Sequence, residues 1–339
     1  MYVSVIIPTY QRCISLKRAL IALCNQTFPK ENYEVIVSID GSTDSTKEML
    51  TSFEAPYKLR TIWKPNAGRA AARNSGISEA KGDVLIFLDD DLEASPDLIE
   101  QHYKHHINNK RICVLGYSPL IISDHSSPLE IYIAETIYTP FMKRLVSPDY
   151  KFQGLDFDSE NFSIRKEVIE EIGSFYHEYS ANEDMELGLR MVYAGIEIIA
   201  KPNAVSRQYL EKDFDGFVRY TAEQARDEVI FTLNYPNTFC FSQICEYNQG
   251  TLKWRLFRAG LIWLSFLFPK FPSLVVYIIK LLEKYTPNRM HRFYSLSLDY
   301  FFWFGVFSTI KSLKNQEELI SKIKSHKEPR RYDFISTLV

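Results

Sequence analysis

Four short runs of mostly apolar residues punctuate the first ninety positions: 3–7, 33–39, 58–63 and 84–88. Each has the length of a strand, and the fourth, Val84-Leu85-Ile86-Phe87-Leu88, is apolar throughout, as expected of a strand buried on both faces of a parallel sheet. Segments with helical spacing alternate with these runs. Residues 15–25 carry Leu16, Ala19, Leu20 and Leu23 on one face, a turn rich in Asp, Gly, Ser and Thr (40–46) precedes a helix to about 53, and residues 69–80 form a third helix. Strand–helix alternation implies a parallel sheet covered on both sides.

Beyond residue 111 the pattern is mixed. Residues 162–165 predict a strand, 182–193 a helix opening on acids, and 212–232 a further polar helix. From 251 the chain becomes basic and aromatic: Trp254, Trp263 and Trp303 are three of its four tryptophans. The apolar segments 259–268 and 271–282 are separated by Pro269-Lys270, and each falls short of the ~20 residues that a spanning helix needs. Eight Lys and Arg side chains between 251 and 292 face one acid, Glu283. Such helices suit the interface of an anionic membrane, or else pack on the first domain or a second subunit. A charged tail follows from Lys311.

Composition narrows the class. With 339 residues, 46% hydrophobic and 24% charged, the chain can bury a large core. A net charge of −2 gives no reason to expect a nucleic-acid partner. The five cysteines lack paired metal-ligand spacing, which argues against zinc and for reduced thiols. The sequence opens directly into a strand, without a basic leader, so a cytoplasmic protein is expected, peripheral at the inner face of the cell membrane if the basic region binds lipid.

In open α/β sheets ligands sit beyond the carboxyl ends of strands. Pro8-Thr9-Tyr10, Asp40 and the trio Asp89-Asp90-Asp91 all fall at such ends. Carboxylates without His or Cys beside them suit Mg²⁺ or Mn²⁺, which complete their shells with water and substrate phosphates. Neither Gly-rich phosphate loop is present, so a pyrophosphate is expected to be held by metal. Tyr10 could stack on a base, and Asp40 could accept from a ring N–H. The bland alternative for the acids is a solvated turn.

Taken in order, Val5-Ile6-Ile7-Pro8-Thr9-Tyr10, Asp40-Gly41-Ser42-Thr43-Asp44, Asn66-Ala67-Gly68, Ala72-Arg73-Asn74 and Asp89-Asp90-Asp91 resemble the GT-A glycosyltransferases of family 2. Asn161-Phe162-Ser163-Ile164-Arg165, Gly173-Ser174-Phe175 and Asn182-Glu183-Asp184-Met185-Glu186-Leu187 resemble the acceptor half of that family. The likeness runs from about Val3 to Glu211. It implies an α/β GT-A fold with a mostly parallel, Rossmann-like sheet over residues 1–235, in which 1–110 bind the nucleotide sugar and 111–235 the acceptor. Residues 236–339 are then a helical region, membrane-associated or oligomerising.

The resemblance implies that Pro8, Thr9, Tyr10, Asp40, Asn66, Arg73, Asp89 and Asp90 serve the nucleotide sugar, with Asp40 on the base, Arg73 near the phosphates and Asp90 near the ribose. It implies that Asp91 binds Mn²⁺ or Mg²⁺, and that the general base is Asp184, with Glu183 the other candidate. The implied activity is inverting transfer from a UDP-, GDP- or dTDP-sugar to a glycan or lipid-linked acceptor. A single base and a metal suffice for direct displacement. Helix capping is the alternative role for Glu183 and Asp184. Two positions depart from the family: Ile39 stands where many relatives have a first acid, and Gln208 where many have His. A sugar nucleotidyltransferase is a competing reading, weakened by the lack of glycine in Pro8-Thr9-Tyr10-Gln11-Arg12. A membrane-associated, transferase-like subunit with weak or no turnover is another, supported by Gln208.

Overall fold

The computed structural model describes residues 1–147, 150–210, 213–313 and 317–328. The expected start of the polar helix at Lys212, the end of the resemblance at Glu211 and residues 329–339 of the tail lie outside the described residues. The chain divides into two compact units: Met1–Ile122 with Ala134–Glu211, and Ser123–Ile133 with Lys212–Val339.

The first unit is built on one eight-stranded sheet. In chain order its elements are β1 (Val3–Thr9), α1 (Cys13–Cys24), β2 (Tyr33–Asp40), α2 (Thr46–Ser52), β3 (Lys58–Lys64), α3 (Arg69–Glu79), β4 (Val84–Leu88), β5 (Leu92–Ala94), α4 (Leu98–Tyr103) and β6 (Ile112–Tyr117). After α5 (Pro128–Ile133), which belongs to the second unit, come α6 (Thr139–Leu145), β7 (Asn161–Arg165), α7 (Lys166–Glu171), α8 (Glu183–Tyr193) and β8 (Glu197–Gln208).

The strand order is β3-β2-β1-β4-β7-β6-β8-β5. β1 pairs in parallel with β2 and β4, and β2 in parallel with β3. β7 enters antiparallel between β4 and β6. Alternate residues of the apolar runs serve the two faces. Val5, Ile7, Ile86 and Leu88 join Leu16 and Leu20 of α1 on one side. Ile6, Leu85 and Phe87 join Phe162, Phe175 and Leu187 on the other. Burial on both faces is why these strands read as unbroken apolar stretches. Gly76 of α3 lies where a Cβ would come within 2.3 Å of Ile6 Cγ2, so the helix sits tight on β1.

Strand direction positions the site. β1, β2 and β4 deliver Thr9, Asp40 and Asp89 at their carboxyl ends. β7 runs the opposite way, with Leu88 paired to Asn161, so the residues preceding β7 reach the same rim. The Asp89 amide donates to the Glu160 carbonyl at 2.9 Å, which locks that junction.

The second unit is helical: α5, α9 (Phe214–Asn234), α10 (Leu252–Leu267), α11 (Phe271–Tyr285), α12 (Met290–Ser312) and α13 (Glu317–Ser325). α12 is its centre. It buries Tyr294, Tyr300, Phe302 and Trp303, and Gly305 fits against Ala222 and Ala225 of α9, where a Cβ would come within 2.8 Å of Ala225 Cβ. Among the described residues no helix is long and apolar enough to cross a membrane.

Candidate active site

The three aspartates after β4 have separate environments. Arg12 donates from Nη1 to Asp90 Oδ1 and to Asp91 Oδ2, both at 3.0 Å. Thr9 donates to Asp90 Oδ2 at 2.7 Å. Asp89 turns the other way and accepts from Arg73 Nη2 at 2.8 Å. Arg12 is thus the cation that Asp90 and Asp91 demand, a partner without a local signature in the sequence. Burial pushes Asp90 up to about 7, with Asp91 adding to the shift and Arg12 opposing it.

Arg73 is the bolt of the site. Its guanidinium is almost wholly buried, donates to Asp89 and to Glu183 Oε1 at 2.8 Å each, and lies 5.3 Å from the Phe175 ring centre. It therefore joins the tip of β4 to the start of α8. Beside it, the Asn74 amide donates to the Phe175 carbonyl at 2.7 Å, and the Phe175 N–H returns a bond to Asn74 Oδ1 at 3.0 Å. These bonds account for the Ala72-Arg73-Asn74 and Gly173-Ser174-Phe175 segments as one unit.

The acids opening α8 have different partners. Glu183 is buried on Arg73, with Arg69 Nε at 3.5 Å. Glu186 is buried in a pair with Arg190 at 2.7 Å. Asp184 is half-buried and has no ion pair among the described residues; its Oδ1 accepts its neighbour Met185 N–H at 2.7 Å. Burial, then Glu183 and Asp158, hold the Asp184 carboxyl well above the ordinary aspartate value.

Asp158 and Glu160 arrive at this rim through β7 and were not anticipated from sequence, since only strand pairing reveals them. Burial, with Asp89 and Glu183 adding to it, pushes Asp158 up to about 6. Glu160 is held well above the usual carboxylate range by burial and by Asp158. It accepts from the Tyr138 hydroxyl and from Gln208 Nε2 at 2.9 Å. Gln208, paired with Leu92 at the end of β8, thereby belongs to the acid cluster.

Asp40 closes the neighbouring corner. Its Oδ1 accepts from Ala67 N–H at 2.7 Å and its Oδ2 from Gly68 N–H at 3.0 Å, while the exposed Asn66 donates to its carbonyl at 3.2 Å. Gly68, at φ +90°, supplies a backbone conformation that other residues avoid. A cavity of about 340 Å³ opens here, lined by Ser38, Asp40, Ile62, Lys64, Asn66 and Ala72 among others. That volume lies within the range of small-molecule sites. Pro8 is half-buried at the end of β1, and the Tyr10 ring is 49% exposed.

The donor chemistry fits a hard divalent cation. Asp89, Asp90, Asp91, Asp158, Glu160, Glu183 and Asp184 outnumber Arg12, Arg69 and Arg73, and burial and mutual repulsion raise several of them. Among the described residues no three such side chains form a ready-made cage. Mg²⁺ and Mn²⁺ characteristically take one or two carboxylates and leave the remaining positions to water and phosphate oxygens.

With this geometry in place, comparisons define the class. The family model described as glycosyl transferase family 2 matches residues 4–173, just over half the chain. The protein belongs to that family. Over 188 residues it is 34% identical to the uncharacterized glycosyltransferase YfnE of Bacillus subtilis, covering 51% of this chain and 48% of that one. Over 232 residues it is 30% identical to the validoxylamine A glucosyltransferase of Streptomyces hygroscopicus subsp. jinggangensis, covering 60% and 53%. The chain spans about half the length of these curated relatives. Its fold is similar to that of a mannosyltransferase from Pyrobaculum calidifontis, solved with GDP-mannose and Mn²⁺, at TM-score 0.58 and 17% identity over 92% of this chain and 88% of that one. The fold is GT-A-like, with a helical C-terminal region.

Proposed function

We propose that the protein transfers a sugar, with inversion and with the help of a divalent cation, from a nucleotide diphosphate to a hydroxyl of a glycan or lipid-linked acceptor. The observation that carries this reading is the Arg73 bridge, which binds the Asp89 strand tip to Glu183, next to Asp184. Donor-side and acceptor-side acids thereby share one rim.

Asp184 is the general base. It is the first-turn acid with no ion pair among the described residues, and its raised basicity brings it toward the range useful at neutral pH. Its carboxylate takes the acceptor's hydroxyl proton as the new C–O bond forms. The bond from the anomeric carbon to the diphosphate oxygen breaks on the opposite face, and the electron pair leaves with the nucleotide. Glu183 is a positioning residue that fixes Arg73.

On the donor side the cavity by Asp40 and Asn66 takes the base, and Pro8, Thr9 and Tyr10, at and just past the end of β1, also serve the nucleotide sugar. Each carboxylate oxygen of Asp40 keeps lone-pair capacity beyond its backbone bond. Asp90 serves the ribose. Asp91, supported by Asp89, would hold Mn²⁺ or Mg²⁺, which supplies positive charge for the departing diphosphate. Arg73 would act near the phosphates chiefly by holding Asp89, with Nη1 bonded to Glu183 and Nη2 to Asp89.

The experiment is a panel of UDP-, GDP- and dTDP-sugars, scored for binding and slow hydrolysis with and without Mn²⁺, with Asp91→Ala as control. Cation-dependent binding of one nucleotide class, lost in the variant, is expected. Binding indifferent to both cation and Asp91 would remove the metal assignment.

A further inference from the structure

Within the second unit, α10 is amphipathic in the reverse sense. α10 buries Arg258 and Ser265, together with Ile262, and exposes Leu252, Leu256, Trp263 and Leu267 at 64%, 66%, 63% and 53%. The spacing i, i+4, i+11, i+15 places these four on one stripe. Both buried polar side chains have partners on α12. Arg258 pairs with Asp299 at 2.9 Å and lies between the Tyr247 and Trp303 rings, 4.8 and 5.2 Å from their centres. Ser265 Oγ is 2.6 Å from the Tyr300 hydroxyl. The polar side of α10 is therefore the one that docks on α12.

α11 also carries an exposed apolar stripe, although its one buried side chain, Ile279, is apolar. Leu274, Tyr277, Ile278, Leu281 and Tyr285 form an exposed stripe, and Lys280 and Lys284 run alongside it. The connecting turn exposes Phe268 and Lys270. An uncovered aromatic and aliphatic surface of this extent marks a docking site.

Charge selects the occupant. From 251 to 292 the exposed charged side chains are Lys253, Lys270, Lys280, Lys284, Arg289 and Arg292, of which Lys280 is paired with Asp215 of α9; the one acid in the stretch, Glu283, is half-buried. A two-fold contact with a second copy would bring these cations against their own equivalents. An anionic lipid surface complements them and accepts the apolar stripe between its headgroups.

We propose that α10 and α11 lie in the headgroup layer of an anionic bilayer, with Leu256, Trp263, Phe268 and Tyr277 at the acyl boundary and Lys270 and Lys284 at lipid phosphates. The inference stands on the second unit alone and holds whatever sugar the first unit transfers.

The test is co-sedimentation of the full chain with vesicles of phosphatidylcholine alone or mixed with phosphatidylglycerol. Analytical ultracentrifugation of the free protein accompanies it. Binding to the anionic vesicles is expected, weakened by high salt. The exposed-lysine double variant Lys270→Glu/Lys284→Glu is expected to lose roughly tenfold or more in partitioning. Leu256→Ser/Trp263→Ser is expected to lose binding while leaving the sedimentation coefficient unchanged. Absence of binding to anionic vesicles overturns the proposal. So does a dimer of the parent protein that Leu256→Ser/Trp263→Ser dissolves, since the stripe is then covered by a second copy. The salt dependence of the unaltered protein gives the electrostatic readout without any substitution.

Discussion

Arg73 and Glu183 form an ion pair at 2.8 Å with side-chain exposures of only 3% and 1%. Removing one partner of a buried pair leaves an uncompensated charge and costs roughly 3–5 kcal/mol. Asp89 also compensates Arg73, which puts Glu183→Ala at the lower end, about 3 kcal/mol. Asp184→Asn behaves oppositely: it deletes a charge that burial, Glu183 and Asp158 disfavour, so stability at neutral pH stays level or rises. Urea midpoints of the two variants check the contrast. Equal losses would mean that both acids merely cap α8.

With Asp184 as the proposed base, the acid limb of the pH–rate profile is expected to report its deprotonation. Because its carboxyl is held above the ordinary aspartate value, activity falls on acidification at a pH above that value. Asp158→Asn removes one of the repelling charges, so the limb moves to lower pH. A limb that stays fixed in Asp158→Asn contradicts the coupling.

Beneath the rim, His102 lies 2.9 Å from both Ser163 Oγ and Asn161 Oδ1, and His106 is 2.8 Å from Ser163 Oγ. Burial lowers His102 to about 4 and His106 to about 3. Both folded values lie below the unfolded value near 6.5, so the folded protein binds fewer protons between these limits. This pair's contribution to stability is present above about pH 6.5 and is lost as pH falls toward 4, by roughly 1.4 kcal/mol per pH unit for each ring. Imidazole NMR signals of His102 and His106 are expected to hold their neutral positions from pH 7 to pH 5. A midpoint near 6.5 for either ring contradicts their burial as neutral groups.

Arg12 neutralises Asp90 and Asp91 within the fold. Arg12→Met leaves these acids without that cation, so the melting temperature without divalent ions is expected to drop. The stabilisation given by Mn²⁺ is expected to grow beyond that of the parent protein. Thermal melts with and without Mn²⁺ measure both effects. An unchanged Mn²⁺ increment in Arg12→Met argues that the cation does not bind at these aspartates.

Much of the first unit was legible from local pattern. The four strands at 3–7, 33–39, 58–63 and 84–88 appear within a residue or two of their expected ends; β1, β2 and β4 are buried on both faces and read as largely apolar runs, whereas β3 is a mostly exposed edge strand. The polar tips at Thr9, Asp40 and Asp89–Asp91 follow from parallel topology. Arg12, Asp158 and Glu160 were not legible, since they meet the aspartates through a loop and through antiparallel β7, and neither has a local signature. Gln208 looked like a lost ligand and proves to donate to Glu160. The second unit was read as basic and aromatic, but its reversed amphipathicity required knowing that Arg258 and Ser265 point inward. The segment Ser123–Ile133 groups with that unit, a non-local pairing that composition does not reveal.

Separating binding from turnover at Asp184 tests the central claim most directly. The account predicts that Asp184→Asn binds the preferred nucleotide sugar with the parent's affinity in Mn²⁺ yet transfers or hydrolyses it roughly 10²–10⁴-fold more slowly. Turnover at the parent's rate in Asp184→Asn, with donor affinity intact, would contradict it.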